Sequence, residues 1–113
     1  MAQSDLPLAP AAFLILFALT DGAKHGYAIM QETRKISDDG FRMGPATLYT
    51  TIQRLLDSGW IKEVSGPENS DSRRRYYRLT ESGRALAIAE AERMERLVAT
   101  AREKHLLRRL RAV

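Results

Sequence analysis

Residues 44–64 read GPATLYTTIQRLLDSGWIKEV, and residues 73–80 read RRRYYRLT. Gly44-Pro45 supplies a break and then a proline suited to the first turn of a helix. Leu48, Ile52, Leu55 and Leu56 follow at i, i+4, i+7 and i+8, one apolar face of a helix that Ser58-Gly59 ends. The opposite side carries Ala46, Thr50, Gln53, Arg54 and Asp57, with Tyr49 on the flank. These are small, hydrogen-bonding or long polar side chains rather than a uniform solvating set of Lys and Glu. After Gly59 the period changes. Residues 60–64 and 73–79 are short runs rich in β-branched or aromatic residues, joined by a polar loop with Gly66-Pro67, and they predict a β-hairpin. Alternation in the second strand sets Arg75, Tyr77 and Leu79 on one side, Tyr77 and Leu79 facing the core. Arg74, Tyr76 and Arg78 take the other.

Two further helices precede this unit. Residues 9–20 present Phe13, Leu14, Leu16, Phe17 and Leu19 as a broad apolar face, with Ile15 beside it, and Asp21-Gly22 stops the run. Residues 25–36 place Tyr27, Ile29, Met30, Thr33 and Ile36 inward, and the Ser37–Gly40 turn cluster closes them. Downstream, Thr80 is suited to cap a helix whose first turn holds Glu81. That helix is expected to run to about Arg111, roughly thirty residues, long for so small a domain. Its apolar stripe of Leu86, Met94, Leu97, Val98, Ala101, Leu106, Leu107 and Leu110 continues past any partner in its own chain, which points to a second copy.

The order is helix, helix, helix, hairpin, long helix. That is a mainly α fold with a small β-hairpin: a winged helix-turn-helix over residues 1–79 and a dimerisation helix over residues 80–113. An α-helix fits the major groove while a hairpin lies along the neighbouring backbone, so the third helix is the candidate reader and the hairpin the candidate wing.

Composition sets the outer bounds. With 113 residues, 44% hydrophobic, the chain suits one domain and not two. The absence of cysteine removes disulfide scaffolds and thiolate metal sites. The most apolar run, Pro10 to Leu19, is about half a membrane span, and Met1 to Ala9 lacks the Lys or Arg of a secretory signal, so a cytoplasmic protein is expected. The net charge of +4 is uneven: −1 over residues 1–57, +2 over 58–79 and +3 over 80–113, with a knot at Arg73-Arg74-Arg75. A basic chain of pI near 9.8 raises the expectation of a nucleic-acid partner. Nucleotide loops, nucleophile elbows and zinc-protease motifs are missing, so no enzyme, metal or cofactor is expected.

The residues also carry a family resemblance. Leu14-Ile15-Leu16 and Ala18-Leu19 lead to Asp21-Gly22, followed by His25-Gly26-Tyr27-Ala28-Ile29. Thr47-Leu48-Tyr49, Arg54-Leu55 and Gly59-Trp60-Ile61 come next, then Arg74-Arg75-Tyr76-Tyr77-Arg78-Leu79-Thr80 with Gly83-Arg84. In this order they resemble the PadR family of bacterial transcriptional regulators, in its short form with a single C-terminal helix. Thr50 stands where many relatives have Pro, and Trp60 where many have Leu.

The resemblance implies a homodimeric repressor on a pseudo-palindromic, double-stranded DNA operator. Gln53 and Arg54 suit bidentate base contacts, while Thr47, Tyr49 and Thr50 suit phosphates. Lys62, Arg73, Arg74, Arg75 and Arg78 form the basic wing, with Arg74 and Arg78 reaching outward. Phe13, Phe17, Met94, Leu97, Val98, Ala101, Leu107 and Leu110 are the candidate dimer contacts. A small aromatic effector between subunits is a further candidate partner, although the final helix contains no Phe, Tyr or Trp. His25 is expected to cap the second helix, Gly26 to permit close packing and Tyr27 to anchor the core. The competing reading is a winged-helix module that binds protein instead of DNA.

Overall fold

Three helices, a small sheet and a long last helix follow one another in a computed structural model that describes residues 5–68 and 73–107. They are α1 (Pro10–Ala18), β1 (Lys24–His25), α2 (Gly26–Ile36), α3 (Pro45–Asp57), β2 (Ile61–Val64), β3 (Tyr76–Leu79) and α4 (Glu81–Glu103). The architecture is a winged helix-turn-helix with a C-terminal helix. The core holds Ile15, Leu16, Leu19, Ile29, Leu48, Ile52, Leu55, Ile61 and Leu86, all 2% exposed or less. Among the described residues no helix is long and apolar enough to cross a membrane.

The hairpin has a third strand. The antiparallel order is β1-β3-β2, with Ile61 opposite Leu79, Glu63 opposite Tyr77, and His25 opposite Tyr76. A strand of two residues is too short to leave a periodic signal, so sequence reading missed β1. Alternation holds in β3: Tyr77 and Leu79 join the core cluster and Tyr76 does not, although Tyr76 is also buried, with the His25 ring meeting it edge-on at 5.3 Å.

Helix ends account for the other departures. At the end of α3, Trp60 N–H donates to the Leu55 carbonyl and Gly59 N–H to that of Leu56, with Gly59 at φ +77°. This Schellman closure turns the chain directly into β2. The same pattern ends α4 seven to eight residues early. His105 N–H donates to Arg102, Leu106 N–H donates to Ala101, and His105 itself sits at φ +62°. The expected continuation to Arg111 is therefore corrected: α4 closes at Glu103, and Leu106 and Leu107 leave the helix. Leu110 lies outside the described residues.

Three burial expectations are corrected as well. Tyr27 is 60% exposed and does not anchor the core: it lies in the first turn of α2 and borders an open groove with Tyr49. Phe17 is 45% exposed, while Ile15, expected beside the apolar face, is fully buried. Helix α1 is apolar all round, so hydrophobicity alone could not choose its inner side. On α3, Leu56 is only half-buried and Thr51 is buried in its place, its hydroxyl donating to the Thr47 carbonyl at 2.7 Å.

Helix α4 is locked to the hairpin at its start. Thr80 Oγ1 accepts from Gly83 N–H at 3.0 Å, and the Thr80 and Ser82 hydroxyls both donate to the Gly59 carbonyl. Three turns on, Glu90 is fully buried. Its carboxylate accepts from Arg93 and from the Leu8 backbone N–H at 3.0 Å, tying the N-terminal segment to α4. The Arg93 hydrogen bond, opposed by burial and aided by the Leu8 N–H, holds the Glu90 carboxyl below the usual glutamate range. A depressed folded-state value contributes stability above the unfolded-state pKa of about 4.3 and loses it as pH falls through the lower folded value. Urea midpoints between pH 6 and pH 3 should therefore fall more steeply for the natural chain than for Glu90→Gln. Parallel curves would refute that role.

Candidate nucleic-acid interface

Helix α3 is held by Leu48, Ile52 and Leu55, each 2% exposed or less, so its other side is fixed outward. That side presents Thr47, Tyr49, Thr50, Gln53 and Arg54, all exposed. Gln53 is not idle there: its amide donates to the Asp57 carboxylate at 2.9 Å along the helix. A base contact by Gln53 requires that bond to be exchanged.

Beside α3 lies a groove of about 360 Å³ bordered by the start of α2, by Tyr49 and by the strand entry at Arg73–Arg75. Gly26 is buried against the Tyr49 side chain: a Cβ there would stand 2.5 Å from the Tyr49 hydroxyl, so that exposed ring would have to move aside. The arginine knot precedes β3 and all three side chains are exposed. Arg75 lies 3.9 Å from the Glu63 carboxylate, a surface pair of small energetic weight.

His25 does more than cap α2. Its Nδ1 accepts from Ala28 N–H at 3.3 Å, and its Nε2 lies 3.3 Å from Arg74 Nη1. Burial first, then the Arg74 charge, lowers the pKa of the ring below the usual histidine value, so it is neutral at pH 7. Which ring nitrogen carries the proton sets whether Nε2 accepts from Arg74 or faces it as a donor. In both cases the contact holds the Arg74 guanidinium at the groove, and its other N–H groups suit an oxygen of an anion. Sequence reading found the cap but not this second role, although the His-Gly-Tyr motif marked the position.

The wing's basic residues do not form one patch. Lys62 and Arg78 are directly opposed across β2 and β3 and open on a different cleft, with Arg84 at the start of α4. Of the candidate dimer residues, Phe13 and Phe17 lie on α1, Met94, Leu97, Val98 and Ala101 on α4, and Leu107 past its end. Phe13 and Phe17 pack with ring centroids 5.8 Å apart. Met94, Leu97, Val98 and Leu107 are exposed, and Ala101 is half-buried. Sequence reading left out Ile88, 53% exposed, which joins Phe13, Phe17 and Ala91 around an apolar groove of about 150 Å³. Ile88 lies well around the helix from Leu86, Met94, Leu97 and Ala101, so the stripe's periodicity gave no signal for it.

A model of the PadR-like family of transcriptional regulators matches residues 15–89, from α1 into α4. The chain belongs to this family. Transcriptional regulator Rv3488 of Mycobacterium tuberculosis is 38% identical over 84 residues, 74% of this chain and 74% of that protein. The structure of a transcriptional regulator from Clostridium thermocellum shares 30% identity and a TM-score of 0.69, covering 82% of this chain and 87% of its own. An uncharacterised transposon protein of Streptomyces fradiae is 40% identical over 87 residues, 77% of this chain, and the chain spans 24% of that relative's length. Membership sets this PadR-like chain among transcriptional regulators and not among enzymes. The family match ends inside α4, so the exposed stripe beyond Ala91 is read from this chain's own residues.

Proposed function

We propose that this PadR-like chain is a homodimeric, cytoplasmic repressor that binds a pseudo-palindromic operator in double-stranded DNA. Helix α3 enters a major groove and reads bases with Arg54 and Gln53, while Thr47, Tyr49 and Thr50 contact phosphates. Arg73, Arg74 and Arg75 bring the wing onto the adjacent backbone. The observation that carries this reading is the gathering of Arg73, Arg74 and Arg75 around one groove with Tyr49 of α3, Arg74 being held 3.3 Å from His25. This cationic groove sits beside α3, where a phosphate would lie when the helix occupies the major groove. The apolar groove between α1 and α4 offers space for a small aromatic effector at the edge of the dimer contact.

Fluorescence anisotropy over a salt series tests the roles separately. Arg74→Ala should weaken binding to every sequence and reduce the salt slope by about 0.9. Arg54→Ala should leave the slope nearly unchanged and cost about 1–3 kcal/mol at one operator position. Affinity and slope unaltered in both variants would overturn the assignment.

A further inference from the structure

We propose that the cleft between the base of the wing and the start of α4 is a second anion site, built for a phosphate-bearing ligand. Lys62 and Arg78 are Cα partners across β2 and β3, so their side chains rise from the same face of the sheet. Directly opposed like charges destabilise a sheet. Both border a cleft of about 740 Å³, within the range of ligand cavities. Arg84 adds a third cation from α4, and its Nη2 donates to the Thr20 carbonyl at 3.0 Å, which leaves the rest of its guanidinium fork for another acceptor. Glu81 is the one carboxylate on the rim, so the cations outnumber it three to one.

The site is separate from the groove beside α3, with which it shares no residue. Its walls are the turn after α1, the hairpin base and the first turn of α4. The hydroxyls of Thr80 and Ser82 on this wall are already committed to Gly59, so the cations carry the recognition. A phosphate held there would offset the Lys62–Arg78 repulsion and brace the wing against α4. The phosphate group can come from a small soluble molecule or from DNA flanking the operator.

The full chain, free of DNA, is titrated with inorganic pyrophosphate while backbone amide shifts of residues 78–84 are followed by NMR. Saturable shifts are expected, and Arg78→Thr should weaken the affinity by about tenfold. The same variant should melt no lower than the natural chain without ligand, because it removes the like-charge pair. If pyrophosphate does not bind but Arg78→Thr lowers the salt slope of DNA binding by about 0.9, the phosphate belongs to DNA. This second arm rests on the operator reading, which Arg74→Ala tests independently. No pyrophosphate shift together with an unchanged slope in Arg78→Thr would overturn the site.

Discussion

Gly83→Ala is expected to lower the unfolding free energy by about 3 kcal/mol, at the upper end of overpacking costs. Gly83 is buried in the first turn of α4, where a Cβ would overlap the Trp60 carbonyl oxygen and crowd its carbon and Cα. The obstacle is backbone, not the movable end of a side chain. Nor can that backbone retreat easily. The same carbonyl accepts from Thr80 N–H at 3.1 Å, and Trp60 N–H closes α3 through Leu55. A methyl group at position 83 must therefore pry α4 from the hairpin base, or break the closure that aims α3. Urea unfolding followed by circular dichroism measures the loss. Ala85→Gly, at an exposed site in the same turn, serves as control and should cost about 1 kcal/mol from helix propensity alone. A Gly83→Ala loss no larger than that of the control would show that α4 can shift without penalty.

Much of this arrangement was legible because α3 is strongly amphipathic: four aliphatic residues on one side leave the polar set facing out. The hairpin was legible for the same reason, since the change of period at Gly59 coincides with a glycine that the turn requires. What escaped reading was tertiary in origin. Tyr27 and Ile29 are both apolar, and only the packing of α1 and α3 decides that one is exposed and the other buried. Glu90 looks like another solvated helix carboxylate until Leu8, 82 residues away in the chain, supplies its buried donor. The end of α4 depends on His105 in a left-handed conformation, a position where glycine is the usual signal.

The site shows the same division. Arg73–Arg75 and the outer face of α3 were identifiable from charge and spacing, and the structure sets the arginine knot and Tyr49 around one groove. Lys62 and Arg78 were grouped with them by proximity in sequence. The register of β2 and β3 instead turns that pair toward Arg84 and the start of α4. Strand pairing, which determines which charges share a face, was the missing information.

Ile88→Glu combined with Val98→Glu should abolish self-association and weaken operator binding by about 10² or more. Both positions are exposed in the single chain, at 53% and 41%, so neither change disturbs the monomer's core. Ile88 borders the groove with Phe13 and Phe17, and Val98 lies farther along α4 beside Leu97 and Met94. Phe17, Ile88, Met94, Leu97 and Val98 stand exposed along α1 and α4, more large apolar side chains than isolated surface hydrophobes would account for. In the proposed homodimer a second copy of the same face covers these residues, since a two-fold contact is self-complementary. Two carboxylates per copy would face their symmetry mates or buried apolar surface, and the contact would lose more than it could recover by local adjustment. Loss of DNA affinity then follows without any change at α3, because a monomer engages one half-site and forfeits the effective concentration of the linked second one. Sedimentation equilibrium of both chains, with anisotropy on a full operator and on an isolated half-site, separates the effects. The variant should match the natural chain on the half-site and fall behind only on the full operator. A natural chain that sediments as a monomer, or a variant that stays dimeric, would overturn this placement of the dimer.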